Sequence, residues 1–386
     1  MNVSRVATIC AGVPTMNNTL LWRMQFKVGD PVAVLNFSDT HGATSVLILR
    51  DIEMQRAKQT AAMDRIHCPA DFTPDGGLSG DRETATAQAA AECLRREGIT
   101  RVIADRSLPL IFAEFLQRAG IAVECDIEIW VADRRQKNEQ EIEHLRESQR
   151  ITELAMKLAC ETIATAEVRS GGVLHGDGGP LTSERVRAAI DHFLMDRDFT
   201  NPTSIIAGGP AGADCHDVGT GQLHTESPII IDIFPRSRGS LYWGDCTRTV
   251  VHGEVPDEVR AMHESVRRAK AAATGATKAG VTGEQVHRAA VQVILEDGFA
   301  TGLPVDGSPR SYCAMTHGTG HGVGLDVHEP PLLDMNSPEL LVGDALTIEP
   351  GLYRRDIGGV RVEDMVIVTE EGCVNLNHLQ EGLTWT

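Results

Sequence analysis

The middle of the chain carries two aspartates in positions that suit metal binding. Asp232 ends the apolar run Pro-Ile-Ile-Ile-Asp, and Asp245 lies in the segment Trp-Gly-Asp-Cys-Thr-Arg-Thr-Val. A carboxylate beside a buried strand is costly unless it is paired with a cation or bound to a metal. Two such carboxylates on neighbouring strands repel each other, and a divalent cation relieves that repulsion. For either aspartate alone, turn capping with Arg248 as the ion-pair partner is the alternative.

A second segment combines histidines with glycines. His317, His321 and His328 fall within twelve residues, and glycines alternate at positions 318, 320, 322 and 324. Glycine lets another backbone approach closely, and imidazole binds Zn, Mn, Co or Fe ions. The spacing fits neither register of the phosphate-binding glycine motifs. A structural role is the alternative for one histidine, but three so close together favour a ligand or substrate site.

Two glutamates complete the set near the C-terminal end. Glu349 ends the strand predicted over 345–349, and Glu363 lies in the strand predicted over 359–369. Side chains alternate along a strand, so we expect Arg361 and Glu363 on one face. An internal salt-bridge network explains one buried glutamate well and two poorly. Four carboxylates and one imidazole on apolar strands therefore favour a pair of hard divalent cations with a bridging water.

Cysteine chemistry is the weaker alternative. Cys215 and His216 are adjacent, and neighbouring side chains of an extended segment point to opposite faces, so we do not expect a nucleophile–base dyad. The nine cysteines are dispersed without CxxC spacing. That pattern is typical of reduced thiols rather than of a disulfide framework.

The elements that must position these residues follow from periodicity. In the N-terminal part, strands are predicted over 31–37, 45–50 and 101–104, and helices over 81–97 and 108–119. The charged segment 132–143 marks a boundary and is predicted to open a long helix with an apolar stripe formed by Ile142, Leu145, Ile151, Leu154 and Leu158. Farther on, Thr182 is predicted to cap a helix that runs to about Met195, and Thr282 with Gln285 forms a capping box. Strands are predicted over 228–232 and 240–251.

Bulk properties bound the class of protein. The length of 386 residues exceeds what one core usually supports, so we expect two domains. The formal net charge of −18 argues against a nucleic-acid partner. There is no apolar run of the roughly 18 residues that a membrane span needs. Met1 to Gly12 lacks the features of a signal peptide, and we expect a cytoplasmic protein.

The order Asp, Asp, His, Glu, Glu resembles that of the pita-bread metallopeptidases. This family includes methionine aminopeptidase, aminopeptidase P, prolidase and the non-metal relative creatinase. Creatinase lacks the ligand set, and its presence in this chain argues against creatinase activity. The resemblance implies an α+β architecture with a pita-bread (creatinase/aminopeptidase) catalytic domain over 146–386. It also implies a smaller creatinase-like N-terminal α/β accessory domain over 1–135. The motifs that carry it surround five residues: Asp232, Asp245, His321, Glu349 and Glu363.

The same resemblance implies a role for each site residue. Asp232 would chelate one ion, Asp245 and Glu363 would bridge both, and a bridging hydroxide would attack the scissile carbonyl. His321 and Glu349 would bind the second ion, and Glu349 would also transfer a proton. His216 would contact the substrate, and His328 would stabilise the tetrahedral intermediate. Arg361 would orient the substrate or Glu363, and His317 would lie near the site.

Two departures from the family pattern stand out. Asp232 and Asp245 are 13 positions apart, two more than is usual in the family. The extra residues fall in the predicted hairpin tip over 235–240, and an even insertion preserves the facing of both strands. In addition, Cys215 precedes His216 where proline or leucine is more usual in the family, so this departure concerns the segment of the implied substrate contact and not the metal ligands.

The ligand set, together with the resemblance, predicts a dinuclear metallo-exopeptidase of peptide substrates, either an aminopeptidase or a dipeptidase. The resemblance also implies a preference for Xaa-Pro sequences. Mn or Co is the favoured metal, Zn or Fe would fit the same ligands, and the family implies a homodimer. The alternatives are a non-catalytic binding protein that keeps the pita-bread shell and an amidohydrolase of non-peptide substrates. Retention of all five ligands argues against the non-catalytic binding protein. A substrate screen would distinguish the amidohydrolase from the peptidase.

Overall fold

The computed structural model describes residues 6–39 and 42–385. They form two compact units that divide between Arg134 and Arg135. Residues 1–5, 40 and 41 of the predicted accessory domain and residue 386 of the predicted catalytic domain lie outside the described residues. The first part of the segment over 1–12, which is predicted not to be a signal peptide, also lies outside the described residues.

The first unit is built on a six-stranded mixed sheet. The strands, in chain order, are β1 (Val6–Gly12), β2 (Val32–Asp39), β3 (Gly42–Ile48), β4 (Arg65–His67), β5 (Arg101–Ala104) and β6 (Ala122–Cys125). The sheet order is β4-β3-β2-β1-β5-β6, with β1 antiparallel to β2 and parallel to β5. The three strands that the sequence predicted here are confirmed. The central strand β1 was missed, because its small residues alanine, cysteine and glycine dilute the apolar pattern.

The described residues of the first unit include four complete α-helices, and a fifth runs across its end. The four are α1 (Asn18–Met24), α2 (Met54–Thr60), α3 (Arg82–Arg96) and α4 (Leu110–Arg118), and α5 (Val131–Arg135) spans the division between the units. The predictions over 81–97 and 108–119 correspond to α3 and α4. Helix α3 begins where the Asp81 side chain accepts a hydrogen bond from the Thr84 N–H, and Phe112 and Leu116 of α4 are fully buried in the core of the unit.

Four longer helices lie in the described part of the second unit, residues 135–385. They are α6 (Glu139–Ala164), α7 (Ser183–Met195), α8 (Asp257–Ala276) and α9 (Gly283–Glu296). Thr182 caps α7, and Thr282 with Gln285 forms the capping box of α9, so both predicted helix starts are confirmed. Among the described residues, none of the helices combines the length and apolar character that crossing a bilayer requires.

The boundary helix differs from its prediction in two ways. The helix α5 ends at Arg135, and a new helix, α6, begins after a capping box formed by Asn138 and Glu141. The segment 132–143 is therefore not the start of one continuous helix. The predicted apolar stripe is also rotated, because Leu154 is 39% exposed. The buried face instead includes Gln149 and Thr152, which are polar and fully buried. A pattern that counts only apolar residues misses such a face.

Short strands make up the rest of the second unit. In chain order they are β7 (Glu167–Val168), β8 (Leu174–Gly176), β9 (Gly179–Pro180), β10 (Phe199–Thr200), β11 (Ile205–Gly208), β12 (Pro228–Ile233), β13 (Arg236–Ser237), β14 (Cys246–Val251), β15 (Ala300–Thr301), β16 (Cys313–Met315), β17 (Gly320–Gly322), β18 (Glu329–Leu333), β19 (Ala345–Ile348), β20 (Gly351–Arg354), β21 (Gly358–Arg361), β22 (Asp364–Val368) and β23 (Cys373–Asn375).

Three sheets of this unit carry the residues of interest. Their orders are β11-β12-β14, β15-β16-β20-β21 and β18-β17-β19-β22-β23. Buried residues of α8 and α9 pack in one core with β19 and β22, and those of α6 and α7 pack in another with β12 and β14. Each fully buried aliphatic side chain in such a core contributes about 1.5–3 kcal/mol, so the sheets that carry the site have a rigid apolar backing.

The strand predicted over 359–369 is wrong as a single element. It is two strands, β21 and β22, which belong to different sheets. Val362 and Glu363 form the break between them. Apolar residues continue through the break because the strands before and after it are both buried. This continuous apolar pattern therefore predicted a single strand. Similarly, the strand predicted over 240–251 covers only 246–251 as β14.

Candidate active site

One pocket of about 290 Å³ in the second unit is lined by every residue predicted from the sequence to belong to the site. Its lining includes His216, Asp232, Asp245, His321, His328, Glu349, Arg361 and Glu363, together with His317. The structure thus brings together residues that are separated by up to 147 positions along the chain, from 216 to 363.

The two aspartates come from an antiparallel strand pair. Asp232 lies in β12 opposite Thr247 of β14, and Asp245 immediately precedes β14. Asp232 and Asp245 are therefore diagonal neighbours that point to one side of the pair. The 13-residue spacing keeps both carboxylates in the pocket, so the prediction that an even insertion preserves their facing is confirmed.

The glycines place His321 against the neighbouring strands. His321 is in β17, which pairs with β18 on one side and β19 on the other. A Cβ added to Gly320 would clash with the Thr347 carbonyl oxygen, and one on Gly322 would clash with the Glu329 carbonyl oxygen. The predicted close backbone approach is confirmed, and what approaches is the adjacent strands of the same sheet.

The geometry of His321 aims its free nitrogen at the carboxylates. Nδ1 lies 3.0 Å from the Gly322 carbonyl oxygen, so Nδ1 carries the proton and Nε2 presents a lone pair. Nε2 lies 3.7 Å from Asp245 Oδ2 and 3.5 Å from Glu349 Oε1. Ligand atoms of Asp245, His321 and Glu363 all lie within 4.8 Å of one another. This arrangement can hold a metal ion.

The pocket has an excess of acidic side chains, which a bound cation would neutralise. Burial, reinforced by the neighbouring carboxylates, raises the pKa of Asp245 and of Glu363 well above the ordinary range, and burial also raises the pKa of Glu349. Asp232 Oδ1 is buried and accepts no hydrogen bond. The described residues that line the pocket include the four carboxylates of the predicted ligands, a fifth carboxylate at Asp334 and one guanidinium, that of Arg361. When ionised, the four predicted ligands alone exceed that guanidinium by three negative charges. The donor set fits divalent cations.

Arg361 is fully engaged with the walls of the pocket. Its guanidinium donates to Asp232 Oδ2 at 2.6 Å, to the Tyr353 hydroxyl at 2.9 Å and to Thr247 Oγ1 at 3.3 Å. The Thr247 hydroxyl in turn donates to Glu363 Oε2 at 2.7 Å. Arg361 therefore orients Asp232 directly and Glu363 through Thr247.

The three other histidines differ in environment. His317 Nε2 lies 2.7 Å from the Tyr353 hydroxyl, and Nδ1 lies 2.7 Å from the Gly318 carbonyl oxygen. The His328 ring meets the His321 ring edge to face, with centroids 4.3 Å apart. His216 and His328 are exposed and so stand at the rim of the pocket. Burial lowers the pKa of both His317 and His328, which favours their neutral forms at pH 7.

The expectation for Cys215 and His216 was wrong about geometry. Both lie in a turn rather than an extended segment, and both line the pocket. Burial raises the pKa of the Cys215 thiol, so the thiol form is favoured and the thiolate that a nucleophile needs is not. All nine cysteines are free, as predicted.

Sequence reasoning missed three residues that support the site. Tyr353 follows Glu349 by four positions in Ile-Glu-Pro-Gly-Leu-Tyr, and Thr247 follows Asp245 by two positions, so strand alternation could have found it. Gln149 contacts the backbone of Asp245 from α6. Nothing in the spacing of Gln149 signals that contact.

The profile of metallopeptidase family M24 matches residues 143–370, more than half of the chain. The chain belongs to this family. Among curated relatives, the M24 chain is 38% identical to the probable dipeptidase PepE of Mycobacterium tuberculosis over 204 residues, which are 52% of this chain and 51% of that protein. It thus spans about half the length of the first curated relatives that it matches.

Solved structures share the fold of this M24 chain. The prolidase from Pyrococcus furiosus superposes with a TM-score of 0.75 at 22% identity, covering 98% of this chain and 97% of that one. The X-Pro aminopeptidase from Thermotoga maritima gives a TM-score of 0.77 at 22% identity, with coverage of 98% and 97%. The predicted α+β class and pita-bread fold are confirmed.

Proposed function

We propose that the chain is a metallo-exopeptidase that binds two divalent cations and cleaves Xaa-Pro peptides. The observation that carries the proposal is the cluster of Asp245, His321 and Glu363, whose ligand atoms lie within 4.8 Å of one another in the same pocket as Asp232 and Glu349. Membership of family M24 supports the metallopeptidase class.

Each ligand has a feature that suits its proposed role. Asp232, which would bind one ion, offers the unpaired Oδ1 atom. His321 and Glu349 would bind the other ion, and their facing atoms lie 3.5 Å apart. Asp245 and Glu363 would bind both. When bound, the cations would lower the pKa of a water molecule and polarise the scissile carbonyl group.

The surrounding residues would orient the substrate and move protons. Burial raises the pKa of Glu349, which suits a group that takes a proton and passes it to the leaving amine. His328 and His216, at the rim, would contact the substrate, with His328 donating to the oxygen of the tetrahedral intermediate. Arg361 would act as an orienting residue, since its donors already hold Asp232 and Tyr353.

The proline preference is supported by the pocket wall and by the solved relatives. The apolar side chains of Ile205, Phe234, Val327 and Leu332 line the pocket, and a pyrrolidine ring would pack against such a surface. The two superposed structures are a prolidase and an X-Pro aminopeptidase. The carboxylate-rich ligand set favours Mn or Co, while Zn or Fe would fit the same residues.

The test combines metal analysis with a substrate comparison. Protein reconstituted with Mn, Co or Zn should bind two ions per chain and release the N-terminal residue from Xaa-Pro dipeptides, Xaa-Pro-Yaa tripeptides, or both. Cleavage restricted to dipeptides would define a dipeptidase, and cleavage of tripeptides an aminopeptidase. Metal binding with no cleavage of either would refute the proline preference, and no metal binding would refute the enzyme.

Two further features belong to the same proposal. We infer a homodimer from the family, which sedimentation velocity would test by a mass twice that of the 41.7 kDa chain. The free cysteines suit a reducing cytoplasm, and fractionation of the native cells would test that location.

A further inference from the structure

Gln149 of α6 is fully buried and contacts both backbone groups of Asp245. Its Oε1 atom accepts a hydrogen bond from the Asp245 N–H at 2.8 Å, and its Nε2 atom donates to the Asp245 carbonyl oxygen at 2.6 Å. The strand ladder between β12 and β14 ends one residue later, at the pair of Ile233 and Cys246. The side-chain amide therefore takes the place of a strand partner for the backbone of this residue.

The same amide reaches the segment that follows Glu363. Gln149 Nε2 also donates to Asn377 Oδ1 at 2.9 Å, and Asn377 Oδ1 accepts from the Met365 N–H at 2.9 Å. Met365 lies two residues after Glu363 in the chain. One helix side chain thus links the backbones around the two carboxylates that are proposed to bind both ions.

Helix α6 is also packed directly against the chain before Asp245. A Cβ added to Gly244 would clash with Thr152 Oγ1 and come within 2.7 Å of the Ser148 carbonyl oxygen. Glycine at position 244 is therefore needed for contact between this segment and the helix. Because the helix backbone is held by its own hydrogen bonds, it forms a fixed support for the position of Asp245.

The residue type at position 149 is restricted by these contacts. A primary amide offers both a donor and an acceptor, which an apolar side chain lacks entirely and a carboxylate offers only as acceptors. We propose that Gln149 is a positioning residue that sets the orientation of Asp245 and thereby strengthens metal binding. The proposal rests on the proposed function, because it assigns Asp245 to the metal site.

The experiment compares Gln149→Met with the matched control Glu153→Met. Glu153 lies one turn farther along α6, is 9% exposed, and its Oε1 atom accepts from the N–H groups of His378 and Leu379 at 2.7 Å each. Both changes remove two hydrogen bonds to distant backbone, but only Gln149 contacts a proposed ligand. Titration of metal-free protein with Co²⁺, followed by the visible absorption of the ion, would give the dissociation constants.

Gln149→Met should raise the Co²⁺ dissociation constant by about 10- to 100-fold, the usual effect of losing a group that orients a ligand. The control should stay within about twofold of wild type although it also lowers the melting temperature. Equal weakening in both variants, or wild-type affinity in Gln149→Met, would overturn the inference.

A second variant covers the case in which Gln149→Met does not fold. Gln149→Glu keeps the shape and the acceptor toward the Asp245 N–H but places a carboxylate oxygen against the Asp245 carbonyl. It should weaken Co²⁺ binding and alter the absorption spectrum, and an unchanged affinity and spectrum would overturn the inference. Wild-type protein that binds no Co²⁺ would overturn this inference and the proposed function together, whereas failure of the variants alone leaves the proposed function intact.

Discussion

Glu363 and Asp364 are adjacent, equally buried carboxylates with opposite surroundings. Glu363 faces the pocket of carboxylates, and burial together with Glu349 and Asp232 raises its pKa well above the ordinary range. Asp364 faces Arg248, at 2.8 Å, and Lys270. Burial opposes the ionised form of Asp364, but these two cations outweigh it and lower the pKa.

The comparison shows what distinguishes a site that needs an external cation. The cluster around Asp364 contains its own positive charges, and Lys270 also binds Glu381 Oε1 at 2.6 Å. Among the described residues that line the pocket around Glu363, Arg361 supplies the one guanidinium for the four carboxylates of the proposed ligands. Buried acidic residues alone therefore do not indicate a metal site, whereas an excess of negative charge that no protein cation balances does.

Glu363→Ala should have the largest effect on function. The variant should lose bound metal and at least about a thousandfold in kcat/KM, because metal catalysis contributes several kcal/mol. Its metal-free form should be no less stable than metal-free wild type, since one repelling charge is gone. Metal analysis, peptide assays and urea unfolding would check this, and full activity with bound metal would refute the site.

Asp364→Ala should have the largest effect on stability. Removing this carboxylate leaves Arg248 and Lys270 buried without their shared partner, and breaking such a buried pair costs about 3–5 kcal/mol. Urea unfolding of the metal-free protein would measure the loss. A change below about 1 kcal/mol would show that the two clusters do not differ as described.

The two carboxylates also predict opposite pH dependences for metal-free protein. Glu363 has a raised pKa, so its contribution to stability is present below the ordinary carboxyl range near pH 4 and is lost as pH rises toward the folded-state pKa. Asp364 has a lowered pKa, so its contribution is present above that range and is lost on acidification. Each pKa unit of difference is worth about 1.4 kcal/mol.

Variants that remove one carboxylate charge each would measure separately how Glu363 and Asp364 change the free energy of unfolding with pH. Glu363→Gln should flatten the fall in stability at rising pH, and Asp364→Asn should flatten the fall at low pH. Urea unfolding free energies measured from pH 3 to 8 would give both slopes, and identical profiles in the two variants would contradict the assignment.

Tyr353→Phe should give the smallest effect. It removes the hydroxyl that accepts from Arg361 at 2.9 Å and lies 2.7 Å from His317 Nε2. A hydrogen bond to a charged group contributes about 1.5–3 kcal/mol, and Arg361 keeps its contact with Asp232. We expect a loss of about tenfold in kcat/KM with unchanged metal content, and loss of metal would show that the tyrosine acts on the ligands themselves.

The residues that could be predicted from the sequence are those whose chemistry conflicts with their surroundings. Asp232 and Glu349 can be recognised because each ends an apolar run. His321 can be recognised because it lies between glycines, which allow the close packing of neighbouring strands. Thr247 and Tyr353 are compatible with an ordinary strand, so their hydrogen bonds emerge only once the sheets are assembled.

The errors have physical causes of the same kind. The break at Glu363 was hidden because both flanking strands are buried and apolar, which leaves no turn signal. The buried face of α6 was assigned to Leu154 rather than Gln149, because a satisfied buried amide looks like a surface residue in a hydrophobic pattern. Both errors concern contacts between elements that are distant in the sequence.

The most direct test of the central claim is the metal stoichiometry of the wild-type chain beside its Glu363→Ala variant. Metal-free protein titrated with Mn²⁺ in a calorimeter should bind two ions per chain, and the variant should bind neither with comparable affinity. Wild-type protein without a binding signal, or a variant that binds as tightly as wild type, would contradict the account.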